Sequence, residues 1–344
     1  MTNKNTNWKN KPFLLSPAGK DYLWGGDRLR KDFNKDIDLT PLAETWECST
    51  HPDGESTIAS GVHLGQLLSA VLAEHPEYLG SHPRMIMQGL GSDSPNTLPI
   101  LVKFIDAKEK LSVQVHPDDT YAATHENGSL GKTEMWYVLD AEPGAQLIYG
   151  FNRNMNTELV HTSIEQNTIE KYLQKVPVQK DDVFYIEAGT VHAIGEGIVI
   201  AEIQENSNLT YRLHDYNRRD KNGILRPLQI DKALQVLNYK SSKSPRQPMR
   251  VLRYHPGCAS ELLCRCKYFQ VERLLVNTQP DNPLPDCSTS DLSFQILLCV
   301  EGTGSLLMND KESISFQKGS CIFIPANSVK TQIYGTAQLL KISC

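Results

Sequence analysis

The chain has 344 residues, with 35 Lys and Arg against 40 Asp and Glu and a formal net charge of −5. That balance, without a dense basic run, argues against nucleic acid as a partner, and the longest apolar runs, such as PILV before Lys103, are too short to span a membrane. The polar start MTNKNTNWKNK lacks the apolar core of a secretory signal, so the expectation is a cytoplasmic protein with its eight cysteines reduced and mostly buried in strands.

In chain order, residues 1–60 mix Gly, aromatic and acidic residues, with a WGG turn at 24–26 and AETWECSTHPDGES at 43–56. Leu64, Leu67, Leu68, Val71 and Leu72 recur at i, i+3, i+4, i+7 and i+8, which predicts a helix around 64–80. TLPILVKFID (97–106) and LSVQVHP (111–117) read as strands joined by an AKEK turn. TSIEQNTIEKYLQKV (162–176) reads as a short helix, and IVIAEIQE (198–205) and TYRLHDY (210–216) as further strands. A helix near 228–239 aligns Ile230, Ala233, Leu234 and Leu237 on one face. SSKSPRQP (241–248) reads as a linker dividing the chain into domains 1–240 and 249–344, each long enough for its own core.

Four residues carry the most chemistry: Gln114 and His116 in LSVQVHPDD (111–119), Glu134 in GKTEMWYVLD (131–140), and His192 in EAGTVHAIGEG (187–197). Two imidazoles, a carboxylate and an amide oxygen make a four-ligand set for a divalent metal. Gln114 and His116 are i, i+2 on an extended segment, so their side chains leave the same face. The gaps to Glu134 and His192 leave room for a return strand and for the far side of a barrel.

An internal repeat supports that convergence. KDDVFYIEAGTVH (180–192) and KGSCIFIPANSVK (318–330) each place an apolar strand before a small turn, and each ends twelve positions after its lysine, on His192 or Lys330. Upstream, WYVLDAEPGAQLIYG (136–150) pairs with ILLCVEGTGSLLMN (296–309), an apolar strand, an acidic residue, a Gly turn and another apolar strand. Short strands joined by Gly and Pro turns resemble the cupins, which implies a mainly β protein of two cupin-type jelly-roll barrels with a few peripheral helices, in which only the first barrel holds a metal.

Six stretches then carry a resemblance: YLWGGDRLR (22–30), AETWECSTHPDGES (43–56), LVKFIDAKEKLSVQVHPDD (101–119), GKTEMWYVLD (131–140), EAGTVHAIGEG (187–197) and AEIQENSNLTYRLHDYNR (201–218). Together and in this order they resemble the type I mannose-6-phosphate isomerases, zinc-dependent aldose–ketose isomerases of the cupin fold. The gap from His116 to His192 leaves no room for the large helical insertion of longer members, so the chain looks like the short form. The resemblance implies one Zn²⁺ per chain on Gln114, His116, Glu134 and His192. It implies catalytic roles for Lys132, Glu202 and Arg212, phosphate contacts at Lys103, Ser112 and Arg218, and a small sugar phosphate as substrate.

The residues themselves are compatible with those roles. Lys132 shares the strand face of Glu134, and Ser112 that of Gln114. Glu202 has only apolar or amide neighbours in IVIAEIQ, so its carboxylate is either next to the metal, as a general base, or paired with Arg212. The Arg212 guanidinium suits a developing enediolate, or else a salt bridge with Asp215 or Glu205. Lys103 stands between PILV and FI, an unusual setting for a charge, and Arg218 sits in a basic, Asn-containing turn. Glu44 and Glu47 flank Trp46 and read either as pocket-lining or as supporting residues. Two rival functions fit a metal-bearing cupin: an Fe²⁺ oxygenase, which would favour more imidazoles than this set offers, and a non-catalytic sugar-phosphate sensor, against which Lys132, Glu202 and Arg212 argue.

Overall fold

The computed structural model describes residues 10–91, 96–219, 222–243, 245, 250–279, 283–309 and 312–344. In the first unit, strands Val183–Ile186, Glu134–Ala141, Ile198–Glu205, Ile100–Ala107, Glu44–Cys48 and Ala18–Lys20 form a six-stranded sheet in that order. Tyr211–His214, Val113–Val115, His192–Ala193, Gln146–Phe151 and Leu173–Pro177 form a five-stranded sheet. Strand pairing in both is antiparallel. Trp136, Val138, Ile198 and Ile200 of the first sheet pack with Leu147 and Ile194, from the side of the second, in one apolar cluster.

The sequence IVIAEIQE is a run rather than an alternation because the strand is covered on both faces. Ile198 and Ile200 belong to the cluster between the two sheets of the first unit, whereas Val199, Ala201 and Ile203 join a second cluster with Phe294, Ile296, Phe323 and Leu340. Strand Glu134–Ala141 divides in the same way, with Met135, Tyr137 and Leu139 in the outer cluster and Trp136 and Val138 in the inner one. The alternate positions Lys103, Glu134 and Glu202 therefore carry charge into the interior of the first unit.

The second unit is a nine-stranded antiparallel sheet built on the long strands Gln295–Met308 and Thr331–Ser343. Its own core holds Leu274, Leu297, Leu306, Phe316, Ile322 and Ile333. The chain's first described strand, Phe13–Ser16, does not pair within residues 1–240 alone: it inserts between Cys321–Ile324 and Thr57–Ile58. Phe13 stacks on Phe323 with ring centroids 5.3 Å apart, and Phe323 stacks on Phe294 at 5.2 Å. The two units thus share a core, and the architecture is mainly β with a few short helices, as expected. The strands expected from VFYI and CIFI are present as Val183–Ile186 and Cys321–Ile324, but the strand, turn and strand expected at 296–309 form one continuous strand, Gln295–Met308, where the first unit has separate strands Glu134–Ala141 and Gln146–Phe151.

Two helical expectations are corrected. Residues 64–80 do not form one helix: the α-helix is Leu68–Glu74, followed by a 3₁₀ turn at Pro76–Leu79 and a second helix at Ser81–Gly89. Pro76 cannot continue the hydrogen-bonded ladder, and Leu64 and Leu67, which fitted the helical period, are 66% and 44% exposed. The helix expected at 162–176 lies at Thr157–Glu165, capped by the Asn156 side chain accepting from the Leu159 N–H at 2.8 Å. Asn167 takes a left-handed conformation, and Leu173–Pro177 is a strand. The helix near 228–239 is shorter, Ile230–Val236. Of the proposed linker, residues 244 and 246–248 lie outside the described residues, and Ser241 bridges to Phe151.

Phe323 is fully buried between two stacked rings. Phe323→Ala is expected to destabilise the protein by about 3–5 kcal/mol, read as a lowered urea midpoint at unchanged m-value; a loss below about 1 kcal/mol would mean that the shared core collapses around the gap.

Candidate metal centre and cavity

Two polar rows face each other across the first unit. On the five-stranded sheet, Arg212, Gln114 and His192 are direct register partners on three neighbouring strands. On the six-stranded sheet, Trp46, Lys103, Glu202 and Trp136 are successive register partners across four strands. Glu134, two residues before Trp136, shares its face. His116 follows the strand Val113–Val115, its carbonyl accepting from the Gly189 N–H at 2.9 Å.

At the meeting point, one ligand atom each from His116, Glu134 and His192 lies within 4.8 Å of the others. The Nε2 atoms of His116 and His192 are 3.1 Å apart, Glu134 Oε1 is 3.1 Å from His116 Nε2, and the Gln114 amide is 3.3 Å from His192 Nε2. His192 Nδ1 donates to the Thr190 carbonyl at 2.8 Å, leaving the Nε2 lone pair directed at the cluster. Burial, helped by the Lys132 charge, pushes His116 down to about 3, and burial also lowers His192. Both rings are therefore neutral and able to ligate. Burial alone would raise Glu134, but Lys132 and His116 outweigh it and hold the carboxyl well below its usual range. Two neutral imidazole nitrogens, a carboxylate and an amide brought together in a buried cluster are the donor types a divalent ion takes, so the set fits a divalent metal. Lys132 Nζ, 2.6 Å from Glu134 Oε1 and 3.3 Å from His116 Nε2, addresses the same acceptors.

Above the ligands lies a cavity of about 280 Å³. Its wall includes six of the predicted residues: Gln114, Lys132, Glu202, Arg212, Lys103 and Ser112. Trp136 Nε1 donates to both Glu134 Oε2 (2.9 Å) and Glu202 Oε1 (3.0 Å), fixing the spacing of the two carboxylates. Burial, reinforced by Glu134, raises Glu202. Lys103 Nζ pairs with Glu202 at 3.0 Å and lies 3.7 Å from Glu44; burial disfavours its charge, but Glu202 and Glu44 more than offset this and raise it. Arg212 Nε donates to Ser112 Oγ and Nη1 to the Pro227 carbonyl, both at 3.1 Å.

Arg218 does not line this cavity; it donates to the Lys110 carbonyl and to Asp215. Asp215 also holds Arg226, which does line the cavity and which sequence reasoning did not single out. Arg226 lies in a loop without periodicity, so no local pattern marks it. Tyr22 and Trp24, at the start of YLWGG, and Glu44, which accepts from Trp46 Nε1 at 2.7 Å, also line it. For Glu44 the spacing of two from Trp46 was the available signal.

Residues 13–142 match the family model of the phosphomannose isomerase type I catalytic domain, and residues 261–344 that of the mannose-6-phosphate isomerase cupin domain. The chain is 34% identical over 332 residues to the mannose-6-phosphate isomerase ManA of Bacillus subtilis (strain 168), covering 96% of this chain and 98% of that one. A crystal structure of the mannose 6-phosphate isomerase from Bacillus subtilis is similar with a TM-score of 0.85 at 33% identity, over 97% of this chain and 99% of that one. A mannose 6-phosphate isomerase structure bound with zinc and yttrium shares the fold at a TM-score of 0.71 and 15% identity, over 96% and 99% of the two chains.

Glu134→Ala and His192→Ala are expected to abolish binding of a divalent ion, whereas Lys330→Ala, at the exposed counterpart of His192 in the second unit, leaves it unchanged. Elemental analysis of the purified variants checks this; a Lys330→Ala protein without metal would move the site out of the first unit.

Proposed function

The chain belongs to the type I phosphomannose isomerases, and from that premise we propose how its cavity interconverts mannose 6-phosphate and fructose 6-phosphate. The observation that carries the reading is the buried cluster of His116, Glu134 and His192 in contact with Gln114 and Lys132, which line the same cavity as Glu202 and Arg212. One carboxylate with three neutral donors suits Zn²⁺, one per chain, and a mannose 6-phosphate isomerase of the same fold is bound with zinc and yttrium. These four residues would hold the ion, which would supply Lewis-acid chemistry at the cavity.

The chain's own groups handle the proton and the charge. Glu202, raised by burial and lining the cavity, takes the C2 proton and returns it to C1, while the C2 hydroxyl loses its proton and the C1 oxygen gains one, so two protons move across the enediol and no other atom changes. Arg212, fixed by Ser112 and the Pro227 carbonyl, presents its guanidinium to the oxygen on which negative charge develops. Lys132 binds a sugar hydroxyl and neutralises Glu134. Ser112 and the guanidinium cluster receive the phosphate. Arg218 and Arg226 share the single carboxylate of Asp215, and Arg212 stands in the same field, so this end carries surplus positive charge that a phosphate dianion balances. In this arrangement Arg218 acts through Asp215, and Lys103 adds its charge from deeper in the wall.

No helix among the described residues is long and apolar enough to cross a membrane, and all eight cysteines are free. Free thiols suit a reducing compartment, which supports a cytoplasmic enzyme acting on a soluble sugar phosphate.

A coupled assay for fructose 6-phosphate, run before and after chelation, is expected to show turnover that chelation removes and Zn²⁺ restores; a metal-loaded chain without turnover would favour a sugar-phosphate sensor instead. Arg212→Ala is expected to lower kcat on the order of 10²-fold with KM little changed and metal retained, and Arg212→Lys to rescue it poorly. Steady-state kinetics with parallel metal analysis checks this, and a raised KM at constant kcat would make Arg212 a binding residue.

A further inference from the structure

Three successive backbone amides hold Lys132 in place. The Gly131 N–H donates to Asp119 Oδ1 at 3.2 Å, the Lys132 N–H to the Pro117 carbonyl at 3.0 Å, and the Thr133 N–H to Glu205 Oε1 at 2.7 Å. The partners come from different parts of the centre. Pro117 and Asp119 follow His116, and Glu205 ends the strand that carries Glu202. At Gly131 the chains approach so closely that a Cβ would stand 2.5 Å from the Asp119 nitrogen.

Asp119 and Glu205 stand close enough that each carboxyl acts on the titration of the other. Burial, then the charge of Asp119, pushes Glu205 up to about 9, so Glu205 is protonated at neutral pH. The second unit completes the arrangement: Tyr268 Oη donates to Asp119 Oδ2 at 2.6 Å, and Lys267 Nζ lies 3.1 Å from the same oxygen. Neither Asp119 nor Glu205 is part of the cavity wall.

We propose that Glu205 and Asp119 are positioning residues for Lys132 and Glu134, and that Tyr268 is the point at which the metal-free second unit acts on the metal centre. Glu205 and Asp119 grip the amides on either side of Lys132, two bonds that set where the Lys132 ammonium and the Glu134 carboxylate enter the cluster. Tyr268 holds Asp119 in the orientation that accepts from Gly131. Outer partners of this kind typically change metal affinity or activity about 10–100-fold when removed. The inference rests on the metal-dependent reading above.

The test is competition for Zn²⁺ between the full-length protein and a chromophoric chelator, with kinetics and thermal melting measured alongside. Glu205→Ala is expected to weaken Zn²⁺ binding about 10–100-fold and to lower kcat with KM unchanged. Glu205→Gln is expected to stay near wild type, because the amide keeps an acceptor for Thr133 and, like the protonated carboxyl, sets no charge beside Asp119. Tyr268→Phe, which removes one oxygen, is expected to shift affinity and kcat in the same direction as Glu205→Ala. A folded Glu205→Ala protein with wild-type Zn²⁺ affinity and kcat overturns the proposal. If that variant does not fold, Tyr268→Phe decides: a lowered melting temperature with unchanged affinity and kcat means that the contact is structural only. Variants that match a Zn²⁺-binding wild type remove this inference alone, whereas a wild type that binds no Zn²⁺ overturns the metal reading and this inference with it.

Discussion

Mutual neutralisation of buried charge is the constraint on which the rest of this structure depends. Glu134, Glu202, Lys103 and Lys132 are each no more than 4% exposed, inside a sandwich that also buries an apolar cluster around Trp136, Ile198 and Ile200. An isolated ion there would cost several kcal/mol. Each carboxylate faces an ammonium, Glu134 with Lys132 and Glu202 with Lys103, and the single Trp136 N–H spans both carboxylates. Removing either lysine leaves its partner carboxylate buried without its ammonium. The neutral imidazoles belong to the same constraint, because the burial that makes isolated charges costly also lowers the histidines and leaves their nitrogens free to ligate.

The second unit follows from the same logic. A sheet whose inner face is given over to charge has less apolar area with which to stabilise itself. Its outer face compensates: Val102, Phe104, Met135, Tyr137, Val199, Ala201 and Ile203 pack against Phe294, Ile296, Phe323 and Leu340. Strand Phe13–Ser16 crosses from the chain's start into the sheet of the second unit, so the unit without metal ligands is part of the scaffold that holds the ligands in register.

Much of this was legible locally. The i, i+2 spacing of Gln114 and His116, the carboxylate of Glu134 in an apolar strand and the shared offsets of VFYI and CIFI are properties of short segments, and strand periodicity turns them into positions in space. The helices were read less well because the competing signals were not periodic. Pro76 ended one pattern that leucines appeared to continue, and Asn156 started another helix earlier than its apolar residues suggested.

The sequence by itself determined which residue types are available to ligate a metal, which strand faces carry them and that only the first repeat holds them, because side-chain chemistry and a period of two are local properties. Tertiary structure decided what each charge is used for. Asp215 gathers Arg218 and Arg226, but only Arg226 lines the cavity. Lys103 is paired with Glu202 and close to Glu44 rather than free, and Asp119 and Glu205, 86 positions apart by their numbers, hold the amides on either side of Lys132. Those outcomes depend on which groups the packed chain brings within a few ångströms of one another, and in a low-dielectric interior that proximity sets both protonation and role.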